Sequence, residues 1–225
     1  MTDPVISVAT IGHELEPVVT VDDFAPDPHG LRKHAAGASF APDDLHYPGV
    51  KAALAAGYFD ALQPVIAAVM HEVFGFLRGA NVLRATYSLV TTPPHLLTIE
   101  QRMPHVDAIE PGRMAILHYL ALDDSDGTGF YRHRSTGFEA ITPERSAAYF
   151  ASLKADLAKH GPPPGAYING DTAIFERMAH FEARFNRALI YRGRLLHSGA
   201  ISPGRNLPCD ALTGRLTIAS FLAAQ

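Results

Sequence analysis

The sequence predicts a mainly β, α+β domain: a β-sandwich, barrel or jelly roll with helices packed outside it. Two patterns lead there. From Leu83 onward apolar residues alternate with a period of two in several short runs bounded by Gly, Pro, Asp or Asn. Before Leu83, apolar residues recur at three- and four-residue steps, as on an amphipathic helix. The chain has 225 residues, 47% hydrophobic and 19% charged, which suits one domain with a sizeable core. We read 1–225 as one domain, with helical support over 1–80 and the β core over 83–222.

In the N-terminal part, Asp27-Pro28-His29-Gly30 offers a cap and a proline at the first helical position, and Gly37 is the stop. From Val50 to about Phe76, Leu54, Tyr58, Leu62, Val65, Ile66, Val69 and Val73 mark a second helix, kinked near Gly57 or Pro64. Candidate strands run over 83–91, 95–103, 112–122, 127–134, 174–185, 188–197 and 214–222. A helical insert interrupts them at about 143–160. Thr142-Pro143-Glu144 starts it, Ala148, Phe150, Leu153 and Leu157 form its apolar side, and His160-Gly161-Pro162 ends it. Pro162–Gly165 reads as a loop rather than a linker.

Composition narrows the function. A net charge of −4 with no basic run argues against a nucleic-acid surface, which needs clustered Lys and Arg. Met1-Thr2-Asp3-Pro4 has no basic or apolar leader, and no apolar stretch approaches the ~20 residues of a membrane span. A cytoplasmic location is the expectation. The single cysteine, Cys209, excludes an internal disulfide and any multi-thiolate metal site. Twelve histidines are a surplus, and imidazole binds metals and moves protons near neutral pH.

A mononuclear non-haem iron site uses two histidines and one carboxylate on one face. On a strand, His-x-Asp or His-x-Glu puts both side chains on the same side. The chain offers His105-Val106-Asp107 and His180-Phe181-Glu182. Random placement supplies about 0.75 His-x-Asp triplets in such a composition, so the triplet draws its weight from what surrounds it. It stands at a strand end after a proline. The strand Arg113–Leu122, the Asp126–Gly129 turn and the strand Phe130–Arg134 follow. Leu195-Leu196-His197-Ser198-Gly199 closes a late strand, and Gly214-Arg215-Leu216-Thr217 opens the last one, with Arg215 and Thr217 on a shared face.

This order resembles the 2-oxoglutarate- and Fe(II)-dependent oxygenase superfamily, whose core is a double-stranded β-helix (jelly roll, cupin-like). The resemblance covers roughly 83–222. It implies His105, Asp107 and His197 as iron ligands, and Arg215 with Thr217 at the distal carboxylate of 2-oxoglutarate. His118-Tyr119-Leu120 with Gly127–Phe130 is similar to prolyl-hydroxylase-type members and nominates Tyr119 for the same carboxylate. The implied activity is oxygenation by Fe(II), 2-oxoglutarate and dioxygen, with release of succinate and CO2. Halogenating relatives replace the carboxylate ligand with a small residue, so Asp107 argues for hydroxylation.

The basic residue of this family usually follows the distal histidine by about ten positions, whereas Arg215 follows His197 by eighteen and Arg205 by eight. Arg215 is preferred because it opens an alternating strand, while Arg205 sits among loop formers in Ser202-Pro203-Gly204-Arg205-Asn206. The His180/Glu182 pair is set aside on geometry. If 174–185 and 188–197 form a hairpin turning at Asn186-Arg187, His180 faces Gly193, ~13 Å along the strand from His197. His118 is expected to pack outside the site or behind it. Phe130–Arg134, including Tyr131, Arg132, His133 and Arg134, is either an edge strand with solvated arginines or a substrate-facing wall whose Arg132 or Arg134 grips a carboxylate. A small metabolite, amino acid or peptide side chain is the expected substrate. The competing readings are a non-catalytic jelly-roll binding protein and a cupin-type metalloenzyme that does not use 2-oxoglutarate.

Overall fold

The computed structural model describes residues 3–43, 46–123 and 126–225. Met1 and Thr2 of the N-terminal reading lie outside them. In chain order the elements are β1 (Val5–Ile11), β2 (Glu16–Asp22), α1 (Pro28–Ala36), β3 (Gly49–Ala53), α2 (Gln63–Glu72), β4 (Ala80–Val90), β5 (Arg113–Tyr119), β6 (Gly127–His133), α3 (Pro143–His160), β7 (Phe175–Glu182), β8 (Ala188–Arg192), β9 (His197–Ala200) and β10 (Leu216–Ala224).

The strands form a seven-stranded sheet in the order β1-β2-β8-β5-β10-β4-β3 and a three-stranded sheet in the order β7-β6-β9. Their pairings are antiparallel. An isolated bridge between His105 and His197 adds a fourth line to the smaller sheet. Consecutive core strands β5, β6, β7, β8, β9 and β10 shuttle between two facing sheets, which is the jelly-roll (double-stranded β-helix) architecture. Strand alternation then sorts residues by layer. On β5, Met114 and Ile116 join the core beneath α1 and α2, whereas Ala115, Leu117 and Tyr119 face the smaller sheet. A third cluster, with Tyr131, Phe175 and Tyr149, packs α3 onto the outside of the smaller sheet. Among the described residues no helix is long and apolar enough to cross a membrane.

Local signals explain the helices. The Asp27 carboxylate accepts from the Gly30 N–H, Pro28 occupies the first turn and Gly37 caps the end of α1. In α3, Gly161 at φ 77° supplies the left-handed stop. Its apolar side keeps Leu153 and Leu157 but not the other two expected residues: Ala148 and Phe150 are exposed and Tyr149 is buried.

Four expectations are corrected. The first eighty residues are not a purely helical support, because β1 and β2 form a hairpin and β3 pairs with β4. The second helix covers only 63–72; Gly57 at φ 73° breaks the run ahead of it, and 49–53 is strand. The 95–103 segment is not a strand but carries two short 3-10 turns, Pro94–Leu96 and Glu100–Arg102. The 188–197 run is split between β8 and β9, and β7 does not pair with β8. These two lie in different sheets, with Asn186 at φ 63° between them, so the hairpin register used to place His180 does not exist.

Candidate metal centre

Three backbone contacts build the centre. His105 and His197 exchange two N–H···O bonds of 2.9 Å, which places their side chains together on one face. The Asp107 N–H donates to the Gly193 carbonyl at 2.7 Å and fixes the residue two positions on, on the same side. Met103, buried just before this segment, anchors it to the core beneath α3. One ligand atom from each of His105, Asp107 and His197 then lies within 4.8 Å of the others. Nε2 of His105 is 3.8 Å from Oδ1 of Asp107, and Nε2 of His197 is 3.5 Å from Oδ2.

Nδ1 of His197 lies 2.8 Å from the Leu195 carbonyl, which only accepts, so Nδ1 carries the proton and Nε2 presents its lone pair to the site. Tyr191 packs against this ring at 4.8 Å and Phe130 at 6.1 Å, fixing its plane. Burial lowers His197 to about 4, opposed by the bond to Leu195. His105 is also lowered to about 4, first by desolvation within the cleft and then by the His197 ring beside it. Burial raises Asp107 to about 6, with His105 and Lys51 opposing. At neutral pH the set is therefore two neutral imidazoles and one carboxylate, the protonation state a divalent cation requires. Oδ2 of Asp107 is buried and accepts no hydrogen bond from the described residues, which leaves it open to a metal. The residues fit a facial-triad ion such as Fe(II).

The triad opens on a cavity of about 500 Å³ between the two sheets, within the range of small-molecule sites. Arg215, Thr217, Thr128, Ser198 and Gly199 line one part of it, and Lys51, Arg84, His46 and Glu100 lie along another. Arg215 is 5% exposed and donates from Nη2 to the Gly127 carbonyl at 2.9 Å. Thr217 stands opposite Tyr119 on β5 and Ser88 on β4. Tyr119 is buried behind the cavity wall, its hydroxyl 2.6 Å from Thr128 Oγ1. Burial raises its pKa while Arg215 opposes the rise. It is Thr128, which the sequence reading did not single out, that reaches the cavity. Arg205 does not line the cavity; it pairs with Asp123 and Asp126.

The remaining residues fall outside the site. His180 is exposed on β7 and is not part of the ligand cluster. His118 lies beneath the helical layer, Nδ1 at 3.0 Å from the Tyr58 hydroxyl and Nε2 at 3.0 Å from Asn186 Oδ1. Tyr131, Arg132, His133 and Arg134 do not line the cavity, so the substrate-wall reading is corrected. Arg132 binds Glu139 and Glu176, His133 lies against Asp156, and Arg134 binds Asp171. The sequence reading also missed Lys51 and Tyr191, both cavity-lining. Lys51 was hidden in a supposed helix; it lies on β3, paired with Ser88 of β4.

Fold and triad together define a double-stranded β-helix protein with a two-histidine, one-carboxylate cluster of the kind that holds non-haem Fe(II) in oxygenases. Residues 2–222 match DUF6445, a family of unknown function, and the chain belongs to that family. No curated protein sequence matches it. Among solved structures it is similar to the non-heme alpha ketoglutarate dependent epimerase SnoN from nogalamycin biosynthesis, at 12% identity and a TM-score of 0.51 over 92% of this chain and 78% of that one. HygX from Streptomyces hygroscopicus, solved with nickel, 2-oxoglutarate and hygromycin B bound, aligns at 13% identity and a TM-score of 0.48 over 92% and 82%.

Proposed function

We propose that this protein is an Fe(II)- and 2-oxoglutarate-dependent oxygenase that hydroxylates a small metabolite, amino acid or peptide side chain. The observation that carries the reading is the His105, Asp107 and His197 cluster at the wall of a cavity that also holds the buried cation Arg215. His105, Asp107 and His197 would hold the iron, and the bound iron and 2-oxo acid supply the oxidising chemistry. Arg215 would receive the distal carboxylate of 2-oxoglutarate, with Thr217 and Thr128 beside it and Tyr119 buttressing Thr128. Tyr191 and Phe130 hold the His197 ring in plane and keep water from its inner side. The cavity volume suits a co-substrate and one small organic molecule, and Lys51, Arg84 and Glu100 along its wall would meet that substrate's polar groups.

Anaerobic addition of Fe(II) and 2-oxoglutarate tests this. A weak visible charge-transfer band is expected in the wild type and is lost in His105→Ala and His197→Ala, and oxygen then yields succinate. No band in the wild type, or an unchanged band in His105→Ala, overturns the assignment. Metal binding without any response to 2-oxoglutarate would instead favour a cupin-type enzyme.

A further inference from the structure

Two arginines and one carboxylate form a buried cluster at the inner end of the cavity. Asp126 has a side chain 2% exposed, Arg215 6% and Arg205 11%. Oδ2 of Asp126 lies 2.9 Å from Nε of Arg205 but 4.0 Å from Nε of Arg215. Oδ1 accepts from the Ser202 N–H at 2.9 Å. Arg205 extends outward to Asp123, whose side chain is 56% exposed and screened by solvent. Nε of Arg215 and Oδ2 of Asp126 are buried and find no hydrogen-bond partner among the described residues, so the Arg205–Asp126 contact is an ion pair.

Asp126 sits between the two arginines but nearer Arg205, and of the three only Arg215 lines the cavity. Without Arg205 the Asp126 carboxylate would have Arg215 as its cation, and a buried cation already neutralised has little attraction left for an anion. We propose that Arg205 is a positioning residue for co-substrate binding: it takes up the Asp126 carboxylate, so that Arg215 keeps one positive charge for the distal carboxylate of 2-oxoglutarate. This rests on the reading of Arg215 given under Proposed function. It also gives the two arginines separate roles, one facing the co-substrate and one facing Asp126.

The test is calorimetric binding of 2-oxoglutarate, and of 2-oxobutyrate, which lacks the distal carboxylate, to the Mn(II)-loaded protein. Mn(II) binding at the triad reports that each variant is folded. Arg205→Gln should weaken 2-oxoglutarate about tenfold or more and leave 2-oxobutyrate within about threefold. Arg205→Lys should bind like the wild type. Asp126→Asn retains the oxygen that accepts from Ser202 while removing the charge. It should not weaken binding alone, and in Arg205→Gln/Asp126→Asn it should restore affinity to within about threefold. Wild-type affinity in Arg205→Gln, or a double variant as weak as Arg205→Gln, overturns the inference. If the double variant alone folds, its affinity decides on the same criterion. A wild type that prefers 2-oxoglutarate no more than 2-oxobutyrate would fail the co-substrate reading itself, and this inference with it.

Discussion

Replacing Arg132 by Met separates a structural role for the β6 arginines from a substrate-binding one. Nε of Arg132 donates to Glu139 Oε1 at 2.7 Å, and Nη1 donates to Glu176 at 3.0 Å. Glu139 is 1% exposed and also accepts the backbone N–H groups of His13 and Glu14, each at 2.9 Å, in the β1–β2 turn. Gly12 permits that approach, since a Cβ there would lie 2.0 Å from the Glu139 carboxylate on a backbone at φ 65°. Methionine fills the arginine's volume but leaves Glu139 charged and buried. Breaking a buried pair costs ~3–5 kcal/mol. The two surviving N–H bonds and the 15% exposure of Arg132 place this case lower, at about 2–3 kcal/mol. For a chain of this size that is a fall of about 4–12 °C in Tm, measured by thermal circular dichroism. Arg132→Met/Glu139→Gln should regain part of the loss, because it removes the unpaired charge. The 2-oxoglutarate affinity should not change. A Tm within about 1 °C of wild type, or weaker substrate binding at unchanged stability, would refute this reasoning and return Arg132 to the substrate wall.

Two other outcomes follow from the geometry. Burial lowers His118 to about 4, against the hydrogen bond its Nε2–H donates to Asn186 Oδ1, while its unfolded value is ~6.5. A depressed folded pKa gives stability that is complete above ~6.5 and lost as pH falls towards 4, at up to ~1.4 kcal/mol per pH unit. Urea unfolding at pH 6.5 and 5 should show this slope, reduced in His118→Gln; an identical slope in the variant refutes it. At the co-substrate end, Thr128→Val should weaken 2-oxoglutarate binding more than Tyr119→Phe does, since Thr128 lines the cavity and Tyr119 stands behind it. Titration of both variants decides, and the reverse order would put the Tyr119 hydroxyl on the carboxylate.

The legible parts of this fold are those where local chemistry agrees with tertiary structure. In β5, β6 and β10 alternation matches the two-sided environment of a sheet between layers, and in α1 the Asp27 cap and Pro28 declare the start outright. The errors lie where a neighbour decides. Leu54, Tyr58 and Leu62 keep helical spacing, yet Lys51 pairs with Ser88 on β4, and the positive φ of Gly57 ends the run between them. Val5–Ile11 has β-branched residues in plenty but stays largely exposed at a sheet edge, so no inside-outside alternation marks it. The charge partners of Arg132 and Arg205 are 7 and 82 residues distant in sequence, and nothing in one sequence announces such pairs.

The histidines show why composition points to a metal site without locating it. His118 and His133 are as buried as His197, but each has both ring nitrogens facing a partner: Tyr58 and Asn186 for His118, Thr136 and Asp156 for His133. His118 acts as a polar core residue with both ring nitrogens hydrogen-bonded, and His133 faces Asp156 at 3.1 Å with no second histidine beside it. His197 has one nitrogen engaged by the Leu195 carbonyl, and the other faces Asp107 beside a second histidine, His105. A ligand histidine is thus marked by the second imidazole and the carboxylate that converge on its outward nitrogen. That property belongs to the pairing of β9 with the His105 segment, since the same pairing that sets the His197 backbone turns its ring toward Asp107. Order along the chain could point to His105, Asp107 and His197 because that order encodes the strand pairing, whereas the number of histidines encodes nothing about it.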